Sequence, residues 1–279
     1  MNHRTLVIAG LSAAAAIAAC TTSTGLPAPR PFAFIDVHEI PVSNGTGLAA
    51  YASAVFVNDR VTGVVPSSAL GESCSPAAAI TSSSTTGTAA AANLDPGAVS
   101  MTLRGSVDNT TRTVPLAPTT VTDGLLKYAN QSSPPLSAGS DSILFAVSGQ
   151  AGGFPAFTTG TISLPHFVAQ PVDDSIVGLG IRVQWTPISA ASPTRMQISL
   201  QYAEAPSAVI NMEVRCIALD DGDFTIPRQY LTGWQDAGLD ATPRPHQAVL
   251  SRFNTIGGNV SADGIAALVV RIDTTIVKN

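Results

Sequence analysis

The chain is short of charge. Asp, Glu, Lys and Arg make up 12% of its 279 residues, against about a quarter in an ordinary globular protein. Lys occurs only at Lys127 and Lys278, and the net charge is −5. With no basic stretch, nothing would neutralise a row of phosphates, which argues against a nucleic-acid partner. Aromatic residues are 5% of the chain, so a site built from stacked rings has little to draw on. Local catalytic signatures are missing. There is no Gly-x-Ser-x-Gly elbow, no His-Glu-x-x-His, no Cys-x-x-Cys and no phosphate loop ending in Lys-Ser/Thr. That leaves no motif-borne hydrolase, zinc, redox or nucleotide chemistry. Beyond the N-terminal segment no apolar run reaches the roughly 18 residues of a membrane-spanning helix.

What is abundant is Thr, Ser, Val, Gly (23 residues) and Pro (20 residues). Such a composition favours β structure with many turns. Period-two alternation supports this. Val99, Met101 and Leu103 alternate with polar residues, as do Leu179, Ile181, Val183 and Trp185. So do Met196, Ile198, Leu200 and Tyr202; Ile210, Met212, Val214 and Cys216; and Leu268, Val270, Ile272 and Ile276. Alternation of this kind buries one face of a strand. Phe32–Ile40, Tyr51–Val57, Thr111–Leu116, Ile143–Ser148, Thr158–Leu164 and Asp223–Pro227 are further strand candidates, and Asn44-Gly45 is a turn signal. Pro227–Trp234 suits one or two helical turns, with Tyr230, Leu231 and Trp234 on one side as a lid on the core or an aromatic platform. The spacing predicts an all-β fold, an antiparallel β-sandwich in the second half with a further β unit in the first.

The N-terminus carries one positive charge at Arg4, then the uncharged run Leu6–Ile17, then Ala18, Ala19 and Cys20. The run has the length of a signal-peptide core and is too short to span a bilayer. Ile17-Ala18-Ala19-Cys20 resembles the lipobox of bacterial lipoproteins. The resemblance implies cleavage before Cys20, lipid on its sulfur and new amine, and a membrane tether. Thr at 21, where Asp would be retained at the inner membrane, implies transport to the outer membrane. The domain organisation expected is a signal peptide at 1–19 and a lipidated tether at 20–31. A β domain follows at 32–164, with a Ser/Thr/Ala-rich loop or linker at 66–97, and a β-sandwich at 165–279. The first unit would pack against the second or merge with it. Ile181-Arg182-Val183-Gln184-Trp185-Thr186-Pro187 is similar to the second strand of fibronectin type III modules, where a core Trp precedes a strand-ending Pro. That resemblance implies an immunoglobulin-like or fibronectin III-like sandwich and no particular ligand.

Candidate sites are few. With Cys20 acylated, Cys74 and Cys216 remain. They either bridge in an oxidising compartment or leave Cys216 as a small buried thiol. Asp220, Asp221 and Asp223 surround Gly222. They form either a hairpin turn or a hard-oxygen site of the sort calcium takes; no other cofactor is implied. Asp173-Asp174 reads as loop. His38, His166 and His246 are scattered. Arg182, Arg195, Arg215 and Arg271 fall on polar strand faces, with Glu213 and Asp273 as partners on a solvated sheet surface. The function expected is that of a non-catalytic, outer-membrane lipoprotein, periplasmic or surface-exposed, structural or adhesive. Its partners would be the membrane and envelope or extracellular polymers or proteins. The alternative is an extracytoplasmic hydrolase assembled from distant loops.

Overall fold

The protein is described from a computed structural model. It covers residues 30–41, 48–59, 71–80, 92–105, 109–120, 126–130, 136–137, 142–172, 180–188, 193–206, 208–239, 244–260 and 264–278. The segment 1–29 with Cys20, the Asn44-Gly45 turn, residues 81–88, Asp173-Asp174 and Leu179 lie outside the described residues.

Sixteen strands and one α-helix are described, so the fold is all-β. The strands are β1 (Arg30–Pro41), β2 (Leu48–Asp59), β3 (Ser73–Ala79), β4 (Ala92–Asn93), β5 (Val99–Arg104), β6 (Thr111–Thr120), β7 (Leu126–Ala129) and β8 (Leu136–Ser137). They continue with β9 (Ser142–Val147), β10 (Phe157–Ile162), β11 (Gly180–Gln184), β12 (Arg195–Tyr202), β13 (Met212–Leu219), β14 (Asp223–Pro227), β15 (His246–Asn259) and β16 (Ile265–Lys278). The helix, α1, is Thr232–Leu239.

One hydrogen-bonded path runs β10-β9-β5-β6-β7-β2-β1-β16-β15-β12-β13-β3. The two halves of the chain therefore share a sheet. The last strand, β16, lies beside the first, β1, and β3 of the first half lies beside β13 of the second. The β1–β16 pair is parallel, with Phe34 beside Ala267 and His38 beside Arg271. This makes the sheet mixed, a departure from the antiparallel arrangement expected. A hairpin could not produce it, because strands adjacent in space here stand at opposite ends of the sequence.

The long strands set the geometry. β15 and β16 have 14 residues each, β1 and β2 have 12. The beginning of β15, from His246 to Phe253, pairs with β12. β6 changes partners midway: Thr111–Leu116 pair with β5 and Ala117–Thr120 with β7. Such a switch folds one part of a sheet over another. Beneath it Phe56 meets Tyr128 and Phe154 edge-on, with centroids 5.5 and 5.1 Å apart, and Phe154 continues to Phe157 at 5.6 Å.

In the second half β11 and β14 form a separate two-stranded sheet. Ile181, Val183 and Trp185 from β11 and its end, and Ile226 from β14, join Met196, Ile198, Leu200, Val214 and Leu250 in one buried cluster. β11 pairs with β14 and not with β12, so the two strands that alternate most clearly belong to different layers. The turn Arg228–Tyr230 and α1 close this layer, with Leu231 and Trp234 fully buried and Tyr230 half-buried. Those side chains are a lid on the core rather than an open platform. Gly233 is required there, because a Cβ would come within 2.3 Å of the Tyr202 hydroxyl.

Residues 66–97 are not all loop: β3 pairs with β13 as the outermost strand on that side. Ser-Cys-Ser-Pro-Ala-Ala-Ala has no alternation because all but Cys74 are exposed. Pairing slips between Ser75/Arg215 and Ala78/Glu213, so Pro76 and Ala77 stand opposite Val214 alone. A bulge of this kind accommodates a proline that has no N–H to give. Cys74 and Cys216 face each other across the pair and form a disulfide, Cα atoms 4.0 Å apart, 142 residues apart in sequence. Closing so long a loop is worth about 5 kcal/mol in the chain-entropy model. Replacing both cysteines by Ala is expected to lower the urea midpoint substantially. Amides of Met212–Leu219 should be the first of the sheet to lose hydrogen-exchange protection. Unchanged protection there would mean that pairing alone holds β3.

Candidate functional site

Alternation along β1 sends Ala33, Ile35, Val37 and Glu39 to one face and Phe34, Asp36 and His38 to the other; the first set is fully buried. The second set begins a polar row across the sheet. In the parallel ladder Asp36 stands beside Val269 and His38 beside Arg271. Each reaches two residues further along β16. Arg271 lies 3.5 Å from Asp36, and His38 Nε2 lies 2.7 Å from Asp273 Oδ2. Ser251, directly opposite Asp273 on β15, also hydrogen-bonds its carboxylate. The row continues through Gln197 and Ser199 on β12 to Glu213 and Arg215 on β13. There Ser199 bonds Glu213, and Arg215 donates to the same carboxylate at 2.6 Å.

The two aspartates respond oppositely to this setting. Burial pushes the Asp36 carboxyl above the usual range, and the charges of Arg271 and His38 offset only part of that. Burial also pushes Asp273 up, but hydrogen bonds from His38 and Ser251, with the charges of His38 and Arg271, outweigh it and hold Asp273 low. The difference is one of hydrogen bonds to the charged form.

The grouping contains the elements of a nucleophilic site in the wrong order. A Ser–His–Asp triad needs the imidazole between hydroxyl and carboxylate. Here the carboxylate of Asp273 stands between Ser251 and His38. His166 is exposed, and His246 is buried edge-on to Trp234 at 4.9 Å, so the three histidines do not converge. A cavity of about 650 Å³ is lined by Asn93, Asp95, Val99, Leu116, Leu126 and Tyr128, among others, and none of the row reaches it. Burial, then the charge of Asp95, raises the Tyr128 phenol, while Asp95 accepts from the Gly97 N–H in a local turn.

The acidic cluster is divided among other partners. Gly222, at φ 108°, makes the turn. Asp223 pairs with Arg182 on the neighbouring strand β11, and Asp221 is exposed. Asp220 is buried in a different role. Its carboxylate accepts from Arg252 Nε at 2.8 Å, Arg252 Nη2 at 3.0 Å, Trp185 Nε1 at 2.9 Å and Thr194 Oγ1 at 2.8 Å. With its lone pairs engaged, Asp220 is a structural anion rather than a calcium ligand, and among the described residues no group of three His, Cys, Asp or Glu side chains could hold a metal.

Arg252 is the residue that sequence reasoning passed over. It stands on the inner face of β15, fully buried, and donates also to the carbonyls of Pro165, His166 and Thr186. Its guanidinium lies 4.9 Å from the centre of the Phe167 ring. An arginine at an inward position breaks the apolar alternation that marks the strand. Leu250 and Ala248, two and four residues before it on the same face, were the available signal.

No family model matches the chain, and no curated protein does. Among solved structures, a DUF4785 family protein from Legionella pneumophila subsp. pneumophila is similar at a TM-score of 0.24 and 12% identity, over 77% of this chain and 51% of that one. The chain thus spans about half the length of that protein.

Two outcomes follow from the geometry. Arg252→Met is expected to destabilise the fold by about 3–5 kcal/mol, because it strands a buried carboxylate. Urea unfolding followed by tryptophan fluorescence measures it, and a loss below about 1 kcal/mol would make the ion pair dispensable. The aspartates should separate by pH. Asp273, held below its ordinary 3.8, contributes stability that is present above that value and lost as pH falls through its folded pKa. Asp36, raised above 3.8, contributes below that value and loses the contribution as pH rises through its folded pKa. Asp273→Asn should therefore destabilise at pH 7, with the gap to wild type closing in acid. Asp36→Asn should be better tolerated at pH 7 than in acid. Parallel pH profiles for the two variants would contradict the assignment.

Proposed function

We propose that this chain is a bacterial lipoprotein held at the outer membrane through Cys20. Its β frame would be a non-catalytic structural or adhesive module contacting envelope or extracellular polymers or proteins. The observation that carries the reading is the division of the three cysteines. Cys74 and Cys216 are joined to each other, and a disulfide between a strand pair suits an oxidising compartment outside the cytoplasm. Cys20 remains, placed after an uncharged run and two alanines as acylation would require. Triple acylation would bury dozens of methylenes at about 0.8 kcal/mol each, so the tether would be durable.

The shared sheet supports a mechanical role, since its first and last strands are neighbours and a load on the tether at β1 passes directly into β2 and β16. A hydrolase would be favoured by a hydroxyl beside an imidazole, and the order Ser251–Asp273–His38 does not supply that.

The test is Cys20→Ala in cells fed a radiolabelled fatty acid. Loss of label and release of the protein from the membrane fraction are expected. Retention of the variant in washed membranes, with label intact, would remove the anchor from the account.

A further inference from the structure

The two ends of the large sheet are finished differently. At one end β3 carries Pro76, a bulge and a disulfide, all of which spoil it as a template for another strand. At the other end β10 has none of these protections. Its sequence, Phe-Thr-Thr-Gly-Thr-Ile, contains no charge and no proline. It pairs with β9 on one side, and no described strand pairs with the other. In an antiparallel ladder alternate residues turn their N–H and C=O away from the partner, so β10 presents a row of such groups outward. Beside that edge two large apolar side chains are exposed, Ile162 at 63% and, opposite Gly160 on β9, Leu144 at 42%.

Room exists alongside. A cleft of about 330 Å³ separates the start of β10 from the β15–β16 hairpin, lined by Phe157, Thr158, Thr159, Ile256, Gly257 and Gly258 among others, with no charged residue. A Cβ placed on Gly258 would meet nothing within 4 Å.

We propose that β10 is the docking edge for a second copy of this chain, joined antiparallel across a twofold axis. The strand is suited to itself. An axis normal to the sheet through Gly160 sets Thr159 opposite a second Thr161 on one face and Thr158 opposite a second Ile162 on the other. Thr–Thr and β-branched pairs are favourable cross-strand neighbours. The neutral edge matters because each copy carries a net charge of −5, and a charged edge would add repulsion at contact. A twofold interface closes after two copies and leaves no growing end. A six-residue edge buries less than the roughly 1,000 Å² of a durable interface, so the dimer is weak and concentration-dependent.

The experiment is sedimentation of the full chain bearing Cys20→Ala, beside the same chain with Thr158→Lys and Ile162→Lys. Both changes are at exposed positions, and they set lysines opposite one another across the axis. A monomer–dimer equilibrium is expected, with its dissociation constant raised about tenfold or more in the lysine variant and the urea midpoint unchanged. A second measurement needs no loss of function. In the Cys20→Ala chain, Thr158→Cys with Ile162→Cys should yield a reducible dimer on mild oxidation, whereas Ile162→Cys alone should not. A chain that stays monomeric to about 1 mM, association that survives both lysines, or no cross-linked dimer from the paired cysteines would each overturn the proposal, as would saturable binding of an unrelated extended peptide by a chain that does not dimerise.

Discussion

The ion pair between Arg252 and Asp220 organises the second half of the molecule. Arg252 belongs to β15 in the large sheet, and Asp220 to the turn before β14 in the small one. Asp220 directly follows β13, and with the Trp185 indole and the Thr186 carbonyl the pair ties together two sheets that no ladder joins among the described residues. It also gathers the carbonyls of Pro165, His166 and Thr186, the Trp185 indole and the Thr194 hydroxyl. A buried pair is weak evidence of net stability, because desolvation opposes the Coulombic gain. Its consequence is geometric: several loop groups must converge on one guanidinium, and apolar packing alone imposes no such direction.

That constraint combines with the length of the central strands. β1 pairs with β2 on one side and β16 on the other, and β16 with β1 and β15, so these two long strands join the halves along most of their length. Hairpin pairs such as β15–β16 are local, but the contacts that close the sheet are not. The parallel β1–β16 pair needs the whole intervening chain to be in place, and the Cys74–Cys216 bridge closes a second long loop. Topology of this kind folds slowly, because loop-closure entropy is spent before contacts offset it.

The polar row on the outer face of β1, β16 and β15 is a product of the same pairing. Asp36 and His38 come from one end of the sequence and Arg271 and Asp273 from the other. Their ion pairs therefore exist only once β1 and β16 lie side by side. The two ends of the sheet differ in the same way: the edge at β3 carries a proline, a bulge and a disulfide, and the edge at β10 carries none of them.

Much of the fold was legible because one-sided burial imposes period two. β5, β11, β12 and β13 alternate as strands with one buried face must, and Leu231 and Trp234 stand at helical spacing above the core. Of the strands that had no candidate, β3 and β15 were hidden for opposite reasons. β3 is exposed on both faces and has no pattern to show; β15 carries Arg252 where an apolar residue would have marked it. Pairing is a different kind of information. Alternation says which face of a strand is buried and nothing about which strand lies beside it, so β11 could not be separated from β12 by reading. The residues by themselves determined the strand-forming pattern, the shortage of charge and the spacing of Cys20 from the apolar run. Only the tertiary structure decided that Cys216 meets Cys74, that Asp220 answers the Arg252 guanidinium, and that His38 lies against Asp273, because each of those contacts joins positions that the chain keeps far apart until the sheet closes.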